Sequence, residues 1–301
     1  MGSGEEAAAC RGRTGRTPLT HFTRFAAIDW SGAKGSRHRG IAIAVADTTG
    51  GAPRLVRPDH VWSRTEVLDW LRKAAAAAHT LFGFDFSFAP PIAERREYLP
   101  GEPAVPNTAR AFWAYVDRRC DDVDLGAASF LEQAHRRHFY FGAADGVKAD
   151  FMHFRRCDAR LNAQGGRKTA SAYDAIGAAQ VAKASFAGMR LLHRLDGKVA
   201  IWPMDPRPDK GSAVVEIYTR IYLRNAGLSG MKLRSRADLN IALKALGSPP
   251  ARLRFEPNDH QTDALVTAAG MRAIAGDPSV WSPRGLTPEL ARTEGWTFGI
   301  R

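Results

Sequence analysis

Between residues 24 and 91 the chain offers three extended runs, a helix and a fourth extended run, an order that admits few topologies. Residues 24–29, RFAAID, are the first apolar run. A small-residue turn with basic residues follows, and Gly40–Thr48, rich in Ile, Val and Ala, reads as the second strand. The third falls around Leu55–Trp62. Thr65 opens a helix: TEVLDWLRKAAAAA has a capping residue, apolar positions at helical spacing and a run of the best helix former. Thr80–Phe88, TLFGFDFSF, is the fourth strand, stopped by Ala89-Pro90-Pro91. Short turns make strands one to three an antiparallel meander. The helix carries the chain back so that strand four lies parallel to strand one.

The next 120 or so residues change character. Residues 91–212 hold few strand signals and several prolines. Helical stretches stand at Ala109–Arg119, Ala128–His138 and Ala170–Leu195, so the segment reads as a largely helical insertion. Ala213–Leu223, AVVEIYTRIYL, is the fifth strand. A basic helical segment, Lys232–Leu246, leads to Asn258–Gly276. That last stretch is an amphipathic helix, which Asn258 or Asp259 can cap and Gly276 can end. The closing TEGWTFGIR reads as a packed segment. Residues 1–21 have no apolar core and read as a disordered tail. The expectation is one α/β domain over residues 22–301, a mixed five-stranded sheet with a helical insertion at about 91–212.

The 301 residues, 45% of them hydrophobic, suit a soluble globular protein. No apolar run reaches the roughly 18 residues of a membrane span, and the opening residues do not read as a secretory signal. Cys10, Cys120 and Cys157 are scattered, which argues against a disulfide framework or a zinc site and fits a reducing cytoplasm. Lys and Arg number 43 against 31 acidic residues, a net charge of +12. Such a surface favours anionic partners, nucleic acid first among them.

Four acids share a context. Asp29 ends strand one, Asp85 lies in strand four (FGFDFSF), Glu216 in strand five (VVEIY), and Asp263 in the first turns of the late helix (HQTDALVTAA). Parallel neighbours one and four bring Asp29 and Asp85 side by side, and a helix across that edge adds Asp263. Gathered carboxylates repel unless cations neutralise them. Mg²⁺ or Mn²⁺ does so with oxygen ligands, and two such ions can run phosphodiester cleavage. Plainer readings stand beside this one. Asp29 also suits a turn, Glu216 a solvent-facing position or a pair with Arg220, and Asp263 the dipole of a helix N-terminus. Asp259 suits a cap. His260 is a candidate helper near the metals or a surface histidine.

The stretches FAAIDWSGAKG, LFGFDFSFAPP, VVEIYTRIYL, DHQTDALVTAAGMRA and EGWTFGI, in this order, resemble the RNase H-like superfamily. Within it the chain is similar to a family of uncharacterised bacterial proteins described as predicted nucleases with an RNase H-like fold. The resemblance covers nearly the whole chain after residue 24, the insertion only loosely. It implies a mixed five-stranded sheet and a metal-dependent nuclease, with Asp29 bridging both metals, Asp85 holding one, Asp263 the other, and Glu216 as fourth acid. Many relatives take an acid from the first helix, where this chain offers Glu66 and Asp69.

Lys34, Arg37 and Arg39 follow Asp29 closely and can meet phosphates, as can Lys168 in the Gly165–Ser171 loop, GGRKTAS. That loop lacks P-loop spacing and reads first as a solvated insertion loop. The principal expectation is a metal-dependent nuclease on DNA or RNA. One alternative is an ATP-dependent phosphotransferase of the actin and sugar-kinase class. There IDWSGAKG would grip phosphate, although no second such hairpin follows. The other is a non-catalytic nucleic-acid-binding module.

Overall fold

Six strands form one mixed sheet: β1 (Arg24–Asp29), β2 (Ala42–Asp47), β3 (Arg54–Leu55), β4 (Thr80–Phe84), β5 (Ala200–Ile201) and β6 (Ala213–Glu216). Their spatial order is β3-β2-β1-β4-β6-β5. β1, β2 and β3 are an antiparallel meander, and β4, β6 and β5 continue the sheet in parallel from β1. This computed structural model describes residues 20–301 apart from 166–167, 178–179 and 232. All but the last two residues of the expected tail 1–21 therefore lie outside the described residues. So do Cys10, Gly166 and Arg167 of the basic loop, and Lys232.

The helices are α1 (Arg64–Ala77), α2 (Ala109–Arg119), α3 (Arg156–Ala163), α4 (Val181–Leu195), α5 (Thr219–Asn225), α6 (Arg236–Ala245), α7 (Asp259–Ile274), α8 (Pro278–Trp281) and α9 (Pro288–Thr293). The expected five-stranded sheet is corrected to six, because two residues of the insertion, Ala200 and Ile201, pair with Ala213 and Val214. A two-residue strand leaves no periodicity to read. AVVEIYTRIYL divides, strand to Glu216 and helix from Thr219. Ile217, Ile221, Tyr222 and Leu223 are all buried, so nothing alternated to mark the switch. In the insertion, residues 130–134 make a π-turn and 136–138 a 3₁₀ turn, and the helix expected from Ala170 starts at Val181. The helix expected from Thr65 starts one residue earlier, with Ser63 as its cap.

The pleat sorts the sheet's side chains into two cores. Ala26, Ile28, Phe82, Phe84 and Val214 face α1, α2 and α4. Phe25, Ala27, Leu81 and Val215 face α5, α6 and α7. Gly83 lies on the second face and lets α7 come close: a Cβ there would sit 2.6 Å from Ile217 Cγ2 and 2.7 Å from Met271 Sδ. Gly83→Ala must push α7 off the sheet. We expect a loss of roughly 1–3 kcal/mol, read by denaturant unfolding.

At the start of α1, Ser63 Oγ accepts from Glu66 N–H at 3.0 Å and Glu66 Oε2 accepts from Ser63 N–H at 2.8 Å, a capping box. Glu66 also pairs with Arg37, and its carboxyl is held down to about 2, first by the Ser63 N–H and then by Arg37. It is a cap, and Asp69 pairs with Arg72 on the same helix. Among the described residues, no helix is long and apolar enough to cross a membrane.

Candidate functional site

Ile28 of β1 pairs in register with Phe84 of β4, and Asp85 N–H donates to Ile28 C=O at 3.1 Å. Asp29 and Asp85 thus leave adjacent parallel strands side by side. Asp29 continues the pleat of Phe25 and Ala27, and Asp85 that of Leu81 and Gly83, so both carboxylates turn toward α7. There α7 presents Asp259, His260 and Asp263 at helical spacing on one face. Asn258 is the cap of α7, its side chain accepting from Gln261 N–H at 2.9 Å. Asp259 and Asp263 are therefore released from capping. Asp29, Asp85, Asp259, His260 and Asp263 all line one cavity of about 330 Å³.

The electrostatics of this cavity are unfavourable to its own acids. Burial raises the Asp29 carboxyl above its ordinary range, opposed by the hydrogen bond from His260. His260 Nδ1 donates to Asp29 Oδ2 at 2.7 Å, and this bond raises the imidazole. Burial lifts Asp85 well above its ordinary value, and the charges of Asp29, Asp263 and Glu216 lift it further. Asp263 is pushed up to about 7, by burial first and the Asp29 charge second. All three carboxyls remain half-buried, open to the cavity. Half-buried acids raised by burial and by one another are suited to accept a cation.

Glu216 differs. Its strand position puts it on the pleat of Val214, opposite to Val215 and α7. Arg155 donates to both its oxygens at 2.6 Å, Phe88 N–H to Oε2 at 2.8 Å and Thr297 Oγ1 to Oε1 at 2.5 Å. Glu216 borders the cavity, yet its acceptor sites are taken by the protein. Neither the solvent-facing position nor the Arg220 pair is found, since Glu216 is 3% exposed and Arg155 is its partner.

The basic candidates do not converge on the acids. Lys34 pairs with Glu132 at 2.6 Å, and Arg37 is held by Glu66. Arg39 lines a neighbouring cavity of about 260 Å³ with Arg57, Trp62, Asn258 and Gln261. Lys168 is exposed, next to Thr169, which lines the carboxylate cavity.

Sequence reasoning missed Arg155 and Trp30. Arg155 is 1% exposed and its partner Glu216 is 61 residues away, a pairing with no local signal. Trp30, 5% exposed, lines the cavity, and its Nε1 has no partner among the described residues. An indole directly after the strand-end aspartate was the available hint.

The acids' chemistry suits a hard divalent cation: oxygen donors only, half-buried, and destabilised by one another. Among the described residues, no group of three or more His, Cys, Asp or Glu side chains is placed to hold a metal ion. The donor set fits such an ion in kind and not in placement. No protein-family model, curated protein or solved structure matches the chain.

Proposed function

We propose that this protein is a metal-dependent phosphodiesterase acting on nucleic acid, built on an RNase H-like sheet. The observation that carries the reading is the convergence of Asp29, Asp85 and Asp263 on one cavity, where burial and the neighbouring acids raise Asp85. Asp29, Asp85 and Asp263 would hold Mg²⁺ or Mn²⁺, which when bound neutralises their charge and activates water against a phosphodiester. Glu216 stands outside this set and braces it from behind through Arg155. In the reaction a water oxygen forms the new bond to phosphorus, the bond to the ester oxygen breaks, and a proton ends on that oxygen. His260, oriented by its Nδ1 bond to Asp29, carries its other ring nitrogen as the proton donor to the leaving oxygen. The order of strands, with a meander, a crossover helix and a parallel continuation, supports the fold part of the reading. Lys34, spent on Glu132, favours it over the phosphotransferase alternative.

The test is hydrolysis of thymidine 5′-(p-nitrophenyl phosphate) and of labelled DNA and RNA strands with Mg²⁺ or Mn²⁺, against an EDTA control. Cutting should need the ion and fall by roughly 10³-fold or more in Asp29→Asn and Asp263→Asn. Ion-independent cutting, or full activity in either variant, refutes it. His260→Gln keeps a donor for Asp29 but carries no exchangeable charge at neutral pH. It should lower kcat by roughly 10²-fold and leave the affinity for Mn²⁺, measured calorimetrically, within about threefold.

A further inference from the structure

We infer that the carboxylate cavity receives one nucleotide at the free end of a single strand, and that duplexes and strand interiors do not reach the acids; this rests on the phosphodiesterase reading above. The cavity is walled on two sides. One wall is α7, with His260 and Asp263. The facing wall comes from the insertion: Leu161, Thr169, Ala170, and Val181 and Ala184 of α4. The space between them, about 330 Å³, is at the small end of the roughly 300–1,000 Å³ that pockets for single small molecules occupy.

The insertion wall is fastened to the site itself. Gly32, three residues after Asp29, lies against the first turn of α4, where a Cβ would stand 2.2 Å from Ala184 N. Ser87 N–H, two residues after Asp85, donates to Ser185 Oγ at 3.0 Å. The Phe86 ring covers Gly188, where a Cβ would stand 2.3 Å from the ring. Behind this, Arg155 ties the start of α3 to Glu216. A wall held at both strand exits narrows the room beside the acids, and a duplex with its second strand needs more of it. A terminal nucleotide needs no such room.

A path for the rest of the strand adjoins. A Cβ on Gly40 would lie 3.5 Å from His260 Cε1, so the Arg39–Gly40 segment borders the acids. Beyond it lies the second cavity, about 260 Å³, lined by Arg39, Arg57 and Trp62. Neither arginine forms an ion pair among the described residues. Guanidinium groups with no carboxylate partner, that of Arg57 lying over the Trp62 ring at 5.5 Å, suit the phosphates of a strand whose end is in the acids.

The experiment compares linear and circularised single strands of one sequence, as DNA and as RNA, with a blunt duplex. Binding is read by fluorescence anisotropy in Ca²⁺ and cleavage products in Mn²⁺, with the p-nitrophenyl ester alongside. Linear strands should bind at least ~10-fold more tightly than circles and release mononucleotides, while circles and duplexes stay intact. The double variant Arg39→Ser/Arg57→Ser should bind linear strands ~10-fold more weakly, and unchanged binding of linear strands by it would overturn the path drawn here. If circles or duplexes are bound and cut as well as linear strands while the ester is hydrolysed, the end-specific inference is wrong and the phosphodiesterase stands. If ester and strands are all inert, the phosphodiesterase reading falls and this inference with it.

Discussion

Asp85→Asn should abolish metal-dependent hydrolysis and, in the same molecule, make the ion-free protein more stable. Burial and three neighbouring carboxylates all oppose the Asp85 charge. Its folded-state acid is thus weaker than the unfolded one, and at neutral pH ionisation weakens the fold. The amide keeps the shape and removes the charge. We expect thermal unfolding in EDTA to move up by roughly 2–5 °C at pH 8. Asp263 supplies the pH dependence. Its folded carboxyl titrates at about 7, above the ordinary value of 3.8, so between those limits the folded state keeps a proton that the unfolded chain gives up. Ion-free stability therefore falls as pH rises from about 4 to about 7, and the penalty is fully present above that. Mn²⁺ should restore more stability at pH 8 than at pH 5, because it binds the ionised form. An Asp85→Asn protein that unfolds at lower temperature than wild type in EDTA would refute the electrostatic account.

Glu216→Gln should do the reverse. Glu216 neutralises Arg155, a guanidinium 1% exposed that also holds Asp158 at 2.9 Å. Glu216→Gln takes one of two buried counter-charges from Arg155 and leaves Asp158 as the other, at a cost of up to about 3–5 kcal/mol. For a chain this size we expect a drop of up to roughly 5–8 °C in Tm, with Arg155→Met at least as damaging. Mn²⁺ affinity of whatever Glu216→Gln protein folds should stay within about threefold of wild type. A large loss of ion affinity with unchanged Tm would return Glu216 to the ligands. The two strand acids thus separate by the sign of one measurement.

The skeleton of the site was legible in the sequence. Asp29 and Asp85 could be paired from the order of elements alone, because a meander followed by a crossover helix leaves strand four only one place beside strand one. Asp263 followed from the helix across that edge. Glu216 was harder. Its strand is buried on both faces, so no alternation told which pleat it occupied, and only the partner 61 residues away decides its role. The insertion wall was illegible for a similar reason. It depends on glycines 32 and 188 meeting a helix and a ring far along the chain, and a glycine in sequence does not announce what it approaches.

The strand order also bears on how this chain is made. β4 lies between β1 and β6, yet β6 is encoded far downstream. At ribosomal rates of ~5–20 residues per second, the roughly 130 residues separating them take on the order of ten seconds to appear. Throughout that interval TLFGF, buried on both faces in the finished protein, has an unpaired edge. A nascent chain in this condition is exposed to edge-to-edge aggregation, so overexpression without holding chaperones should send part of it into inclusion bodies before β6 arrives to cover that edge.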